Sequence, residues 1–319
     1  SRLRFSQDLV PQKRTHICAA MSSASTKPPL WSCKIGDMRQ PGYAPYTAPS
    51  LDSAPTYTVG TGSTVPALID GDYNVFMVAN WGITKLDQEG TILYRFLASE
   101  KTGGICGACT IYNGALLAIG DLGCAFSLDC ATAEMRWHKQ FCAGCIPDQC
   151  HVAAESDVMI CAGKSSKDLA QMGFSDTVYG LDTKNGNKKW SFSMRLGVIC
   201  LAPSIVDKVV IFQSIQGEVA CLDLATGSQK WMTKQAGQVS SGGAVACKKT
   251  GMVYSCGNRR GKKEWNKPCG GKGIIRAFDL GDGKATWEWT PPDEPALEAN
   301  SIPAVLPTGP NGKQIVVAG

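Results

Sequence analysis

The residues best equipped for chemistry are the cysteines. The chain has fifteen, and two pairs stand at Cys-x-x-Cys spacing, Cys106-Gly-Ala-Cys109 and Cys142-Ala-Gly-Cys145, the second followed by Cys150-His151. Two such pairs with a Cys-His dyad could offer the sulfur and nitrogen ligands that tetrahedral zinc takes. The same side chains could form disulfides or a thiol redox centre, or pack as small apolar residues in a core. The histidines are His16, His138 and His151, and no Ser-His-Asp arrangement or phosphate-binding glycine loop accompanies them. Ser240-Ser241-Gly242-Gly243 has the composition of such a loop, but it falls where a strand of small residues is expected.

A second feature is the run Asn258 to Lys272, which holds Arg259, Arg260, Lys262, Lys263 and Trp265 with a single acid. An aromatic among cations suits an acidic groove on a protein partner or a membrane surface. Nucleic acid is the weaker match, because the net charge of +5 over 319 residues does not make a concentrated basic face. The first residues, Ser1 to Lys34, have Asp8 as their only acid. That composition fits an organelle-targeting peptide or, the reading favoured here, an extended basic arm (residues 1–40) lying on a partner. The compartment is left open by the sequence.

The elements that must position these residues come from a repeat. Its best copies are Tyr179-Gly-Leu-Asp182 through Gly186 to Trp190, and Ala220-Cys-Leu-Asp223 through Gly227 to Trp231. Others run from Asp279 through Gly283 to Trp287, and from Asp129 to Trp137 with Ala133 in place of the glycine. A worn copy has Asp87, Gly90 and Tyr94, the aromatic one position early. Two short apolar runs precede each copy, so each repeat reads as four strands with a period of about 41 to 56 residues, as in propeller blades. Asp accepts backbone N–H groups in the turn, Gly supplies its positive φ, and Trp covers the neighbouring blade. These positions are expected to be structural.

Hydrophobic residues at 44%, charged residues at 18%, 35 glycines and 17 prolines agree with an all-β globular chain of many short strands and turns. No apolar run reaches the roughly twenty residues of a membrane-spanning helix. Five complete repeats are expected, with part of a sixth at Ser301 to Leu306 and Lys313 to Ala318. The propeller then occupies residues 41–319, and a ring of six to eight blades would close either through outer strands from the N-terminal segment or, as favoured, through further sequence.

The Leu-Asp-x-x-x-Gly-x-x-x-Trp pattern resembles the pyrroloquinoline-quinone (PQQ) repeat of quinoprotein alcohol dehydrogenases and of their non-catalytic relatives, such as bacterial outer-membrane assembly lipoproteins. Gly42-Tyr-Ala-Pro-Tyr46 and Pro55-Thr-Tyr-Thr-Val-Gly60 are similar to the lead-in before the first blade of such proteins. For an enzyme, the resemblance implies a quinone held with calcium by Glu and Asn, an Asp base, a stacking Trp and often a disulfide between adjacent cysteines. No adjacent cysteine pair occurs, and Asp148 and Glu155 are the few acids in first-strand positions. By alignment of the repeats, Cys109 and Cys150 take the position of Pro203, and Cys106 that of Cys200, which favours core packing over a ligand role. The leading expectation is therefore a non-catalytic propeller without a bound cofactor, serving as scaffold or accessory subunit to other proteins. The alternatives are a PQQ- and calcium-dependent oxidoreductase, or a cysteine-based metal or redox module.

Overall fold

The computed structural model describes residues 27–30, 65–146, 150–167, 174–198, 201–234, 238–240, 242–259, 271–292, 299, 301–306 and 315–317. The lead-in segments, nearly all of the N-terminal arm and Asp148 lie outside them. Among the described residues there is no α-helix, and none is long and apolar enough to cross a membrane.

The chain folds as successive antiparallel blades. Blade 1 has strands β1 (Leu68–Ile69), β2 (Val75–Ala79), β3 (Gly82–Leu86) and β4 (Ile92–Leu97). Blade 2 has β5 (Ile105–Tyr112), β6 (Ala115–Gly120), β7 (Cys124–Asp129) and β8 (Met135–Gln140). Blade 3 has β9 (Ala153–Glu155), β10 (Val158–Gly163), β11 (Ser175–Asp182) and β12 (Lys188–Val198). Blade 4 has β13 (Ser204–Val206), β14 (Val209–Gln213), β15 (Val219–Asp223) and β16 (Gln229–Met232). In blade 5 the first strand is split into β17 (Gln238–Val239) and β18 (Ala244–Cys247), both paired with β19 (Met252–Arg259), followed by β20 (Lys272–Asp279) and β21 (Ala285–Trp289). The described part of a sixth blade is the pair β22 (Ala304–Leu306) and β23 (Ile315–Val317).

First strands touch first strands from blade to blade, β5 against β9, β9 against β13, and β13 against β18. Two-residue turns link the first and second strands, and their residues are left-handed: Asn113-Gly114, Ser156-Asp157 and Asp207-Lys208. That geometry matches the right-handed twist of the flanking strands, so the hairpin closes without splaying. The middle strands are buried along their length, as in β6 and β10, whereas β8 and β21 are mostly exposed. Each blade thus places its core in β2–β3-type positions and turns its fourth strand to solvent.

The repeat residues join the blades. The Asp223 carboxylate accepts the N–H groups of Ala225 and Thr226, and Asp129 and Asp279 hold their turns alike. The Thr226 hydroxyl and these amides hold the Asp223 carboxyl below the usual carboxylate range. The turns of Asp182, Asp223 and Asp279 each receive the tryptophan of the preceding blade. Trp137 donates its indole N–H to Thr183 O at 2.8 Å, Trp190 to Leu224 O at 2.9 Å, and Trp231 to Leu280 O at 3.0 Å. The glycine beneath has φ near +70° in all three turns, and a Cβ there would lie 2.6 Å from the ring of the docked Trp. Glycine is therefore required twice, for its backbone and for the ring it carries.

One expectation needs correction. Each repeat tryptophan is expected to cover the neighbouring blade; Trp190 and Trp231 are buried and Trp137 half-buried, but Trp287 is 42% exposed. Its ring meets Tyr254 of its own blade at 6.0 Å, and no following Asp–Gly turn covers it among the described residues.

Candidate functional site

In a propeller, ligands are taken up where first strands converge or on the loops that join strands, so the cysteines and the basic hairpin are the places to inspect. Cys106 and Cys109 stand on β5, where its pairing with β6 is interrupted between Cys106 and Thr110. Three residues apart on one strand, the two thiols point to opposite faces of the sheet, and the interruption keeps that parity. Cys106 joins the core shared by blades 2, 3 and 4, and Cys109 the core shared by blades 1 and 2. Burial pushes both thiols up, Cys109 to about 12.

Cys150 and His151 precede β9. Register corrects the alignment drawn from sequence: Glu155 faces Val158 as Val206 faces Val209, so Val152, not Cys150, occupies the position of Pro203. Cys150 is two residues earlier, beside Leu201, with its thiol 3.5 Å from the Ser175 hydroxyl. Cys109 does match Pro203, since Tyr112 faces Ala115 in the same way.

His151 is buried, and its Nδ1 accepts the Ala108 N–H at 3.0 Å, leaving the ring proton on Nε2. The neighbouring backbone is stitched across blades by Val152 N–H to Ala108 O at 2.9 Å and His151 N–H to Leu201 O at 3.1 Å. Ser204 does the same work at the junction of blades 4 and 5, its Oγ accepting the Ala246 N–H at 3.1 Å. Ser240 likewise donates to Cys256 O at 2.7 Å, so the glycine-serine run there is inner-strand structure.

Cys142 and Cys145 lie on the link from β8 to β9. Their sulfurs are 3.7 Å apart. The hydrogen bond between the two sulfurs holds Cys142 below the usual thiol range and, with burial, raises Cys145. The two Cys-x-x-Cys pairs therefore have different geometries, one split and one in contact. Among the described residues, no three of His, Cys, Asp or Glu gather in an arrangement that could hold a metal ion, and all eleven cysteines there are free thiols.

The basic run emerges at the tip of the β19–β20 hairpin. Arg259 pairs with Lys272 across the hairpin root, and its guanidinium holds Glu288, which also accepts Arg276 Nε at 2.8 Å. Arg259 is thus anchored to its own blade. Arg260, Lys262, Lys263 and Trp265 lie outside the described residues.

The model of the family described as "Outer membrane protein assembly factor BamB" matches residues 79–271 and 175–319. The chain belongs to the PQQ-repeat β-propeller family. No curated protein matches it. Among solved structures, BamB from Moraxella catarrhalis is 16% identical over 68% of this chain and 70% of its own, with a TM-score of 0.47. The quinohemoprotein alcohol dehydrogenase from Comamonas testosteroni is 15% identical over 69% of this chain, with a TM-score of 0.51. The matched region spans only 40% of that enzyme. The C-terminal WD40 domain of Sif2, 12% identical over 74% of this chain and 62% of its own, has a TM-score of 0.52. At these identities the likeness concerns the fold, and the family holds both assembly factors and dehydrogenases.

The enzymes of this family raise the question of a quinone with calcium. Calcium takes about six to eight hard oxygen ligands. The described inner strands offer instead mainly thiols, the His151 imidazole and hydroxyls, and His151 and Ser204 are already bonded to backbone amides of a neighbouring blade. Glu155 is the last residue of β9, and no carboxylates gather around it among the described residues. The described residues therefore do not fit that group.

Proposed function

We propose that the chain is a non-catalytic propeller that serves as a scaffold or accessory subunit of a larger protein assembly. The observation that carries this reading is the inner edge, where His151, Ser204 and the adjoining amides are engaged in joining blade to blade. Side chains that a cofactor site would need to aim at a ligand instead fix the scaffold. Large apolar side chains are meanwhile exposed outside, with Trp81, Leu97 and Leu122 at 43%, 63% and 52%. Trp81 O accepts the Ala98 N–H, which sets the first two at one corner of blade 1. Exposed apolar groups of this size favour protein contacts.

The basic hairpin supplies the second contact. Arg259, with Glu288, fixes its root, and Arg260, Lys262, Lys263 and Trp265 form the part that meets an acidic partner surface. Charge reversal at Arg260, Lys262 and Lys263 tests this. The native chain should elute with partner proteins on size-exclusion chromatography of a gentle extract. The triple variant should elute alone with an unchanged melting temperature. Elution of the wild-type chain as a free monomer, or an undiminished assembly with the variant, would overturn the reading.

A further inference from the structure

We infer that Cys142 and Cys145 form a thiol pair that closes reversibly to a disulfide by exchange with a small disulfide. Their sulfurs, at 3.7 Å, are already in contact, and bond formation requires approach to about 2 Å, within reach of side-chain rotation. The pair is also held in place from both sides. Cys142 N–H bonds to Gly123 O and Cys145 N–H to Asp121 O in blade 2, while Ala143 N–H bonds to Lys164 O and Lys164 N–H to Gly144 O in blade 3. Four backbone bonds thus fix the short segment that carries both thiols at the seam between two blades.

The two sulfurs differ in access. Cys142 is half-buried and Cys145 buried. Cys142 also lines an open cleft of about 570 Å³, with Gln140, Phe141, Thr177, Tyr179 and Ser193. Opposite its sulfur stands Gly163, where any Cβ would come within 2.3 Å of Cys142 Sγ. The seam therefore has room for the sulfur to turn but none for a larger neighbour. Neither Cys106 nor Cys150 shares this arrangement, since their thiols approach Gly104 O and Ser175 Oγ.

The accessible sulfur reacts first. The Cys142 thiolate attacks one sulfur of the small disulfide, forming a mixed disulfide and releasing one small thiol. Cys145 sulfur then attacks Cys142 Sγ, the second small thiol leaves, and the intramolecular S–S bond forms. One small disulfide is reduced to two thiols, which carry away the two thiol protons, and the protein dithiol is oxidised.

Oxidised glutathione is the probe. The full chain is incubated in glutathione redox buffers, free thiols are blocked by alkylation, and the peptide spanning residues 140–164 is sequenced by mass spectrometry. The proposal expects Cys142 and Cys145 to lose alkylation together, without a glutathione adduct, and to recover it with excess reduced glutathione. Cys145→Ser should leave a stable glutathione adduct at Cys142, whereas Cys142→Ser should leave Cys145 unmodified. Alkylation of both residues in every buffer, or a lasting adduct on wild-type Cys142, would overturn it. The wild-type pattern decides the matter even where a variant fails to fold.

Discussion

The junction between blades 3 and 4 and the junction between blades 1 and 2 solve one packing problem with different residues. At the first, Trp190 lies over Gly227 and opposite Gly180, whose added Cβ would meet the indole at 2.2 Å. At the second, Tyr94 takes the place of the tryptophan, Ala133 that of the glycine, and Lys85 that of Gly180. The Asp87 turn is one residue shorter than the others, closing from Asp87 N–H to Thr91 O where Asp223 N–H reaches Ser228 O. That shortening accounts for the aromatic arriving one position early. The smaller phenol leaves room for a long side chain. Lys85 fills it, donating at 3.0 Å to the same Cys130 carbonyl that Tyr94 reaches at 3.2 Å, and pairing with Asp70 at 3.2 Å. What the blades share is a donor aimed at the carbonyl after the turn's Asp. The ring that delivers it sets the size of its neighbours.

Truncation of the large ring should have the largest effect. Trp190→Ala removes a buried indole and its hydrogen bond, and should cost about 3–5 kcal/mol by denaturant unfolding. The same change at Trp287, exposed and without a following turn beside it among the described residues, should cost under about 1 kcal/mol. Equal losses at the two positions would break the comparison. At the other junction, Lys85→Met leaves the buried Asp70 carboxylate without its cation and should cost about 3 kcal/mol. If Lys85→Met were neutral, the phenol alone would be sufficient there.

The thiols buried in and beside these junctions set a pH limit. Burial raises Cys109, Cys130 and Cys256 to about 12 in the folded chain, against about 8.5 when unfolded. A group with a raised folded pKa contributes its full stability below the unfolded value, and loses it as pH climbs toward the folded one. Each of these thiols should therefore cost on the order of 2 kcal/mol of stability between pH 8 and pH 10. Urea midpoints measured under reducing conditions would show this, and Cys256→Ala should flatten the slope.

The smallest effects separate the two turns. Gly227→Ala forces a Cβ against Trp190 at a φ of +70°, and should cost about 1–2 kcal/mol. Ala133 already tolerates a φ of +62°, so Ala133→Gly should change stability by less than about 1 kcal/mol, in the stabilising direction. Opposite signs at equivalent positions would sharpen the account, and equal ones would remove its basis.

Much of this architecture was legible in the chain. The spacing from Asp223 to Gly227 to Trp231 encodes a turn, its glycine and a ring, because each role favours one residue type. Lys85 was not legible as a partner of Tyr94, since a single lysine in a strand carries no mark of what it faces. The cysteines show the limit more sharply. Two pairs of the same spacing end differently: strand alternation separates Cys106 from Cys109, while a loop pinned by two blades holds Cys142 against Cys145. The shared spacing does not say which pair lies on a strand and which on a loop. His151 was visible as a histidine beside a cysteine, but its bond to Ala108 depends on how two blades meet.

The scaffold proposal expects the inner edge to hold no quinone. Calorimetric titration of the full chain with PQQ and calcium chloride tests it most directly. The account predicts no saturable heat and no quinone absorbance retained after gel filtration. Stoichiometric binding that a calcium chelator reverses would contradict it.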